Sequence, residues 1–354
     1  MGDAMAARRR SAPRHSARGR RNHHRNRRFR QVAATRRGAG MSERNRGAAL
    51  LAAMLLVALA TAIAYAIAFD TGLSLRRAAG SDGQDQAQLV AGGAEQIAAE
   101  ILVRDRRSGS THPAQDWARP LGPLEVAPDA TVAAQLEDLQ GRFNLNTLVD
   151  AQGKADPVAI EIFGRLLTQV GLEPRFASLL ADWIDSDDQP LDANGAEDAV
   201  YSSRQPPYRT PNQPLTSASE LLALTDFGYE RYLRIAPFVV ALPRTTPLNL
   251  CSAPGAVLDA LTGEDQWTRA PDALRRNRER GCFPTREAFR AQFADGARHA
   301  RIVASIGVTE QSDYFALRTR VAVGSTRYSL YSLLLLENRS GPSQARVLAR
   351  RFAE

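Results

Sequence analysis

The densest concentration of chemically useful side chains lies in the stretch ADWIDSDDQPLDANGAEDAVYSSRQPPYRTP, Ala181 to Pro211. Asp182, Asp185, Asp187, Asp188, Asp192, Glu197 and Asp198 put seven carboxylates within seventeen positions, interrupted by Pro190 and Gly195. Hard oxygen donors gathered by turns are what Ca²⁺ requires, about six to eight of them at ~2.3–2.6 Å. The D-x-D-D spacing is not that of an EF-hand, because the glycine and the twelfth-position glutamate fall elsewhere. A solvated acidic loop is the plainer reading. Yet so many carboxylates beside Trp183 and Ile184 would repel one another unless a cation neutralised them, so a structural Ca²⁺ site is expected. Catalysis has less to stand on. Asp182 and Glu197 are a formal acid/base pair of the glycosidase kind, but no nucleophile elbow, phosphate loop or histidine constellation accompanies them. His112 and His299 stand alone. The chain is not expected to be an enzyme, and Tyr201, Tyr208 and Arg209 are expected to pack and pair around the loop.

A second kind of chemistry is written at Gly47. Residues 48–69, AALLAAMLLVALATAIAYAIAF, carry no charge over twenty-two positions. As a helix rising ~1.5 Å per residue they reach ~33 Å, enough to span the hydrocarbon core of a bilayer. Arg44 and Arg46 precede the segment and Asp70 follows it, which places the amino end in the cytoplasm and everything downstream outside it. An ordinary secretory signal would be cut behind the apolar stretch, where Ala64, Ala66 and Ala68 imitate a site. The junction Arg44-Asn45-Arg46-Gly47-Ala48 offers instead a cut in front of it, which retains the helix as an anchor.

Charge follows the same division. Residues 1–46 hold fifteen arginines against Asp3 and Glu43; without them the totals of 46 basic and 38 acidic residues fall to 31 and 36, a balance of −5. The basic character therefore belongs to a leader, residues 1–47, rather than to a nucleic-acid arm. Met41 is an alternative start that would leave only MSERNRG as leader. Cys251 and Cys282 both follow the anchor. In an oxidising compartment they are expected to form one disulfide, worth roughly 3–4 kcal/mol on the chain-entropy model, since a zinc site needs more ligands than this pair supplies.

The Gly47–Ala48 junction resembles the prepilin peptidase site of type IV pilins and type II secretion pseudopilins. Most members of that family carry a glutamate at the fifth position of the mature chain, where this sequence has Ala52. A carboxylate in an apolar helix costs about 2.5–3.5 kcal/mol and persists when it has a partner; in the family that partner is the terminal amine of the preceding subunit. A subunit with nothing above it meets no such amine. Ala52 therefore resembles the large minor pseudopilin K of type II secretion, and D-W-I-D-x-D from Asp182, G-A-E-D from Gly195 and P-Y-R from Pro207 resemble segments of the same family. The resemblance extends over most of residues 44–336. It implies Asp185, Asp187, Asp188, Glu197 and Asp198 as Ca²⁺ ligands. It further implies a tip subunit that joins minor pseudopilins I and J to start the pseudopilus, with the major pseudopilin below, and that reaches exoprotein or the secretin. Such a subunit is processed by prepilin peptidase and sits in the bacterial inner membrane as a single pass with its C-terminal part in the periplasm. A minor pilin of a type IV pilus is the alternative. A membrane-anchored helix-hairpin-helix DNA-binding protein is a weaker one, because Thr225-Asp226-Phe227-Gly228 is a poor phosphate turn and the mature chain is acidic; no nucleic acid is expected as a partner.

The elements that would position these residues fit an α+β, pilin-like fold. At 354 residues two or more compact units are expected. A long N-terminal hydrophobic helix, transmembrane over 48–69 and periplasmic over 70–107, packs on an antiparallel sheet; Gly80, Gly83, Gly92 and Gly93 weaken its continuity. Residues 108–145 supply loop and strands, with a hairpin over Val132–Leu145 turning at Gly141. Residues 146–300 form a large inserted helical, sterile-alpha-motif-like domain carrying the acidic loop 182–198. Its helices are read at Val158–Val170, Pro174–Ile184, Ser217–Leu224 and Tyr229–Pro237, and Ser217 with Glu220 forms a capping box. FNLNTLVD from Phe143 and LNLCSAPGAVLDAL from Leu248 resemble each other as helix entries. Residues 301–338 form a three-run meander, Arg301–Val308, Tyr314–Val323 and Arg327–Leu336, with Phe315, Leu317, Thr319, Val321 and Val323 on one face. Residues 339–354 are a tail.

Overall fold

The computed structural model describes residues 43–337 and 343–353. The leader up to residue 42, with the alternative start at Met41, and part of the tail lie outside the described residues. The chain divides into two compact units, Met1–Asp70 and Thr71–Glu354.

Helix α1, Glu43–Asp105, is one continuous element of 63 residues. In its first part every side chain from Gly47 to Thr71 is exposed, and the mean hydropathy of its most apolar window is 2.5. It is long and apolar enough to cross a membrane. Beyond Thr71 the helix buries a stripe of small residues, Ala87, Ala91, Ala94 and Ala98, ending on Leu102. Steps of three and four keep them on one face, and their size lets the helix lie close to the sheet. That packing outweighs the helix-weakening glycines.

The sheet has five antiparallel strands in the order β1 (Leu121–Ala127), β2 (Ala130–Asp138), β7 (Tyr314–Val323), β8 (Thr326–Glu337) and β9 (Gln344–Ala353). Strands β1, Leu121–Ala127, and β2, Ala130–Asp138, form a hairpin that turns at Asp129 (φ 61°). The expected turn at Gly141 is therefore corrected. Gly141 serves a close approach: a Cβ there would lie 2.9 Å from the backbone of Ser252. Strand β3, Phe143–Asn144, follows.

The helical insertion contains two halves that begin and end alike. The first runs through a 3₁₀ turn at Leu145–Leu148, α2 (Pro157–Gln169), α3 (Phe176–Ile184), α4 (Asp198–Tyr201), a 3₁₀ turn at Ala218–Ala223 and α5 (Gly228–Ile235) to β4 (Val239–Val240), which pairs in parallel with β3. The second opens with β5 (Leu248–Asn249) and runs through α6 (Gly255–Thr262), α7 (Gln266–Arg269), α8 (Pro271–Arg278), α9 (Arg286–Arg290) and α10 (Gly296–Ile306) to β6 (Val308–Thr309), parallel to β5. The entry asparagines act alike: Asn144 Oδ1 accepts from Asn146 N (3.2 Å) and Asn249 Oδ1 from Cys251 N (3.0 Å). The capping box at Ser217 and Glu220 forms. One apolar core runs through both halves, with Phe163, Leu166, Phe176, Leu180, Leu258 and Phe289 at its centre.

Strands β7 (Tyr314–Val323), β8 (Thr326–Glu337) and β9 (Gln344–Ala353) complete the sheet. Phe315, Leu317, Thr319 and Val321 are buried on one face, against α1. Two readings of this end are corrected. Residues 301–306 are helical, because Asp295 caps Ala297 N and Ile302 and Ile306, four apart, are the buried pair; only Val308–Thr309 is extended. The segment read as a tail is a strand along β8.

Two polar clusters fasten these parts. Asp138 Oδ2, at the end of β2, accepts from Asn249 Nδ2 (2.9 Å), Ser252 Oγ (2.5 Å) and Ser312 Oγ (2.7 Å), tying the second helical half to the sheet. Glu95 of α1 is buried and accepts two hydrogen bonds from Arg350 Nε and one from its Nη2, with Ser332 Oγ adding another at 2.6 Å.

Candidate metal centre and relatives

Asp182 and Asp185 stand three positions apart at the C-terminal end of α3, every residue of which is buried. The spacing puts both carboxylates on one side of the helix end. The negative pole of the helix dipole adds to their repulsion. Residues 186–197 then loop back over this end. Leu191 N donates to Asp182 Oδ1 (3.0 Å) and Ser178 Oγ to Asp192 Oδ2 (2.7 Å). Gly195 makes the return possible, since a Cβ there would lie 2.1 Å from Asp182 Oδ2. Glu197 is brought in directly before α4.

Carboxylate oxygens of Asp182, Asp185 and Glu197 lie within 4.8 Å of one another, and all three residues are buried. Each keeps one buried oxygen without a hydrogen-bond partner: Asp182 Oδ2, Asp185 Oδ1 and Glu197 Oε1. Among the described residues Asn212 Oδ1 is also buried without a partner. Its amide nitrogen is spent on Asp187 O (3.1 Å) and Asp188 Oδ1 (3.0 Å), and its backbone is held at φ 47°. Orphaned buried acceptors are costly, and three carboxylate oxygens clustered in this way fit a hard divalent cation of the calcium class.

Electrostatics point the same way. Burial, reinforced by neighbouring carboxylates, pushes Asp182 up to about 6, and Asp185 and Glu197 each to about 7. Without a counter-charge the cluster resists ionisation. Trp183, Tyr201 and Tyr208 pack edge-on or tilted beside it, with centroids 5.0 to 6.2 Å apart. Arg209 lies 3.6 Å from Asp198.

Of the carboxylates expected as ligands, the cluster contains Asp185 and Glu197. Asp198 Oδ1 is occupied by Thr210 N (2.9 Å) and Thr210 Oγ1 (3.0 Å). Asp187 caps Gln189 N (2.8 Å), Asp188 holds Asn212, and both are exposed. Asp182 takes a place that the i, i+3 spacing on a helix would have revealed. Gly47, Ala48 and Ala52 lie on the exposed surface of α1, and Cys251 and Cys282 are joined as a disulfide.

Residues 141–244, which include the whole cluster, match the family model for type II secretion system protein K. The protein K of Pseudomonas aeruginosa is 32% identical over 86% of this chain and 92% of its own length. That of Klebsiella pneumoniae is 34% identical over 85% and 95%. The chain belongs to the type II secretion system protein K family. Its fold is similar to a solved chain from the GspK-GspI-GspJ complex of the enterotoxigenic Escherichia coli type 2 secretion system, with a TM-score of 0.66 and 25% identity over 78% of this chain and 99% of that one. The anchor-length helix, the pilin-like sheet and the helical insertion are thus those of a type II secretion pseudopilin, and the type IV pilus alternative falls.

Proposed function

We propose that this chain is the minor pseudopilin at the tip of the type II secretion pseudopilus. Prepilin peptidase cuts it after Gly47. It joins minor pseudopilins I and J to initiate assembly, and the major pseudopilin adds beneath. Its membrane helix is held once through the inner membrane with Thr71–Glu354 in the periplasm, where that unit meets exoprotein or secretin. Its work is mechanical and templating rather than enzymatic, without nucleic acid. A calcium-class ion held by Asp182, Asp185 and Glu197 fixes the loop of the insertion.

The observation that carries this reading is the likeness over 78% of the chain to a K subunit solved with I and J. Co-expression with the I and J subunits of the same organism, followed by size-exclusion chromatography in detergent, tests it. The three are expected to elute as one species, and elution of this chain by itself would refute the assignment.

A further inference from the structure

The second helical half carries the opposite charge to the first. Residues 248–309 hold nine arginines against seven acidic residues, a balance of +2, and all nine arginines fall in 266–301 with only four of the acids, in a chain whose balance beyond residue 46 is −5. Arg276, Arg280 and Arg290 are exposed, and among the described residues no carboxylate pairs with them.

One guanidinium in this half is built in rather than solvated. Arg278 donates from Nε to Phe283 O (2.8 Å) and from Nη2 to Leu250 O (3.2 Å) and Ala253 O (2.6 Å). Three carbonyls hold it in place and none neutralises it. Burial lowers it only to about 10, so it stays charged at neutral pH. The Cys251–Cys282 bridge joins the two segments that supply those carbonyls. Nη1 meets no acceptor among the described residues.

Arg278 lines a cleft of about 550 Å³ between α8 and the segment after α1, together with Pro113, Arg119, Leu274, Arg275 and Glu279. On the rim Arg119 pairs with Asp116 (3.3 Å), and Arg275 with Asp272 (3.2 Å) and, at 3.9 Å, with Glu279, all exposed. Exposed pairs of that kind are weak and exchange readily for a better partner. Leu274 and the prolines add an apolar wall. A fixed guanidinium that presents only Nη1, flanked by two exchangeable forks, is suited to an acidic segment, with one carboxylate oxygen on Nη1 and further carboxylates on the rim.

We infer that this cleft is a docking site for an acidic, leucine-bearing peptide segment of a protein partner, with one carboxylate on Arg278 and others on Arg119 and Arg275. The inference is independent of the tip placement, since it rests on the charge and shape of this cleft.

A fluorescein-labelled peptide of glutamates around a central leucine, titrated into the full chain in detergent, tests it. Saturable binding is expected, weakening as salt rises, with at least a tenfold loss in Arg119→Glu/Arg275→Glu. The rim residues are exposed, so that variant should keep its thermal melt. Arg278→Gln should lose binding similarly, and Arg327→Glu, outside the cleft, should bind as the parent. Equal binding of the lysine counterpart, or parent-like affinity in the rim variant, would overturn the proposal. So would displacement by inorganic phosphate or anionic vesicles at concentrations matching the peptide, since the site would then be a general anion site.

Discussion

At the scale of single residues, Asp182, Asp185 and Glu197 crowd together three buried carboxyls that are relieved either by protons or by a counter-charge. Their carboxyls lie well above the usual range, at about 6, 7 and 7. The metal-free folded protein therefore holds protons that the unfolded chain releases between roughly pH 4 and pH 7, and its stability falls as pH rises through that window. A bound cation removes the penalty by favouring the ionised form. Chelated protein is expected to melt at progressively lower temperature from pH 5 to pH 8, while Ca²⁺-loaded protein does not, so the gap between the two melts widens with pH. A gap that is constant, or absent, counts against the site. Trp183 lies in the chain between Asp182 and Asp185, so terbium luminescence excited through it should report loading directly, and Asp182→Asn should abolish that signal.

At the scale of elements, strand β9 is tied to α1 by the Arg350–Glu95 ion pair, beside the Arg346–Glu337 pair to β8. Burial by itself pushes Glu95 up, but the hydrogen bonds from Arg350 and Ser332 outweigh it and hold the group below the usual glutamate range. Arg350→Ala would leave that carboxylate buried without its partner, at a cost of about 2 kcal/mol, the scale of hydrogen bonds to charged groups. Amide exchange in 344–353 should accelerate more than in β7; unchanged protection of β9 would show that the backbone ladder suffices. The Cys251–Cys282 bridge acts on another element, closing a separation of 31 residues around α6 to α8. Under reducing conditions the chain should lose roughly 3–4 kcal/mol of stability, and non-reducing peptide mapping should recover the two cysteines in one fragment. These elements were unequally legible. Tyr314–Val323 announced itself by alternation, and α2 and α3 by their apolar period. Strand β9 did not, because Arg346, Arg350 and Arg351 mask its alternation, and Arg301–Val308 was misread because its β-branched residues spoke louder than the Asp295 cap. The acidic run pointed to a cation site. Which of its carboxylates come together depended on how residues 186–197 fold back over the end of α3, a tertiary fact that no local pattern contains.

At the scale of the whole molecule, the proposed cut between Gly47 and Ala48 decides what the protein becomes. Mass spectrometry of the mature amino terminus is expected to find Ala48 first; a start beyond Phe69, or an intact leader, would remove the anchor or the processing from the account. Ala52 then carries the sharper consequence. An apolar residue here needs no partner, whereas a glutamate would add about 2.5–3.5 kcal/mol to the cost of burying the helix, recovered only where another subunit's terminal amine sits alongside. A subunit inside a filament has that amine above it. A tip subunit has nothing above it, so the charge stays uncompensated. Ala52→Glu should therefore leave cleavage at Gly47 intact, since the junction is unchanged, while reducing incorporation with I and J and the secretion that depends on it. Unimpaired secretion in that variant would mean that the position does meet an amine, and hence that the subunit lies within the filament rather than at its end.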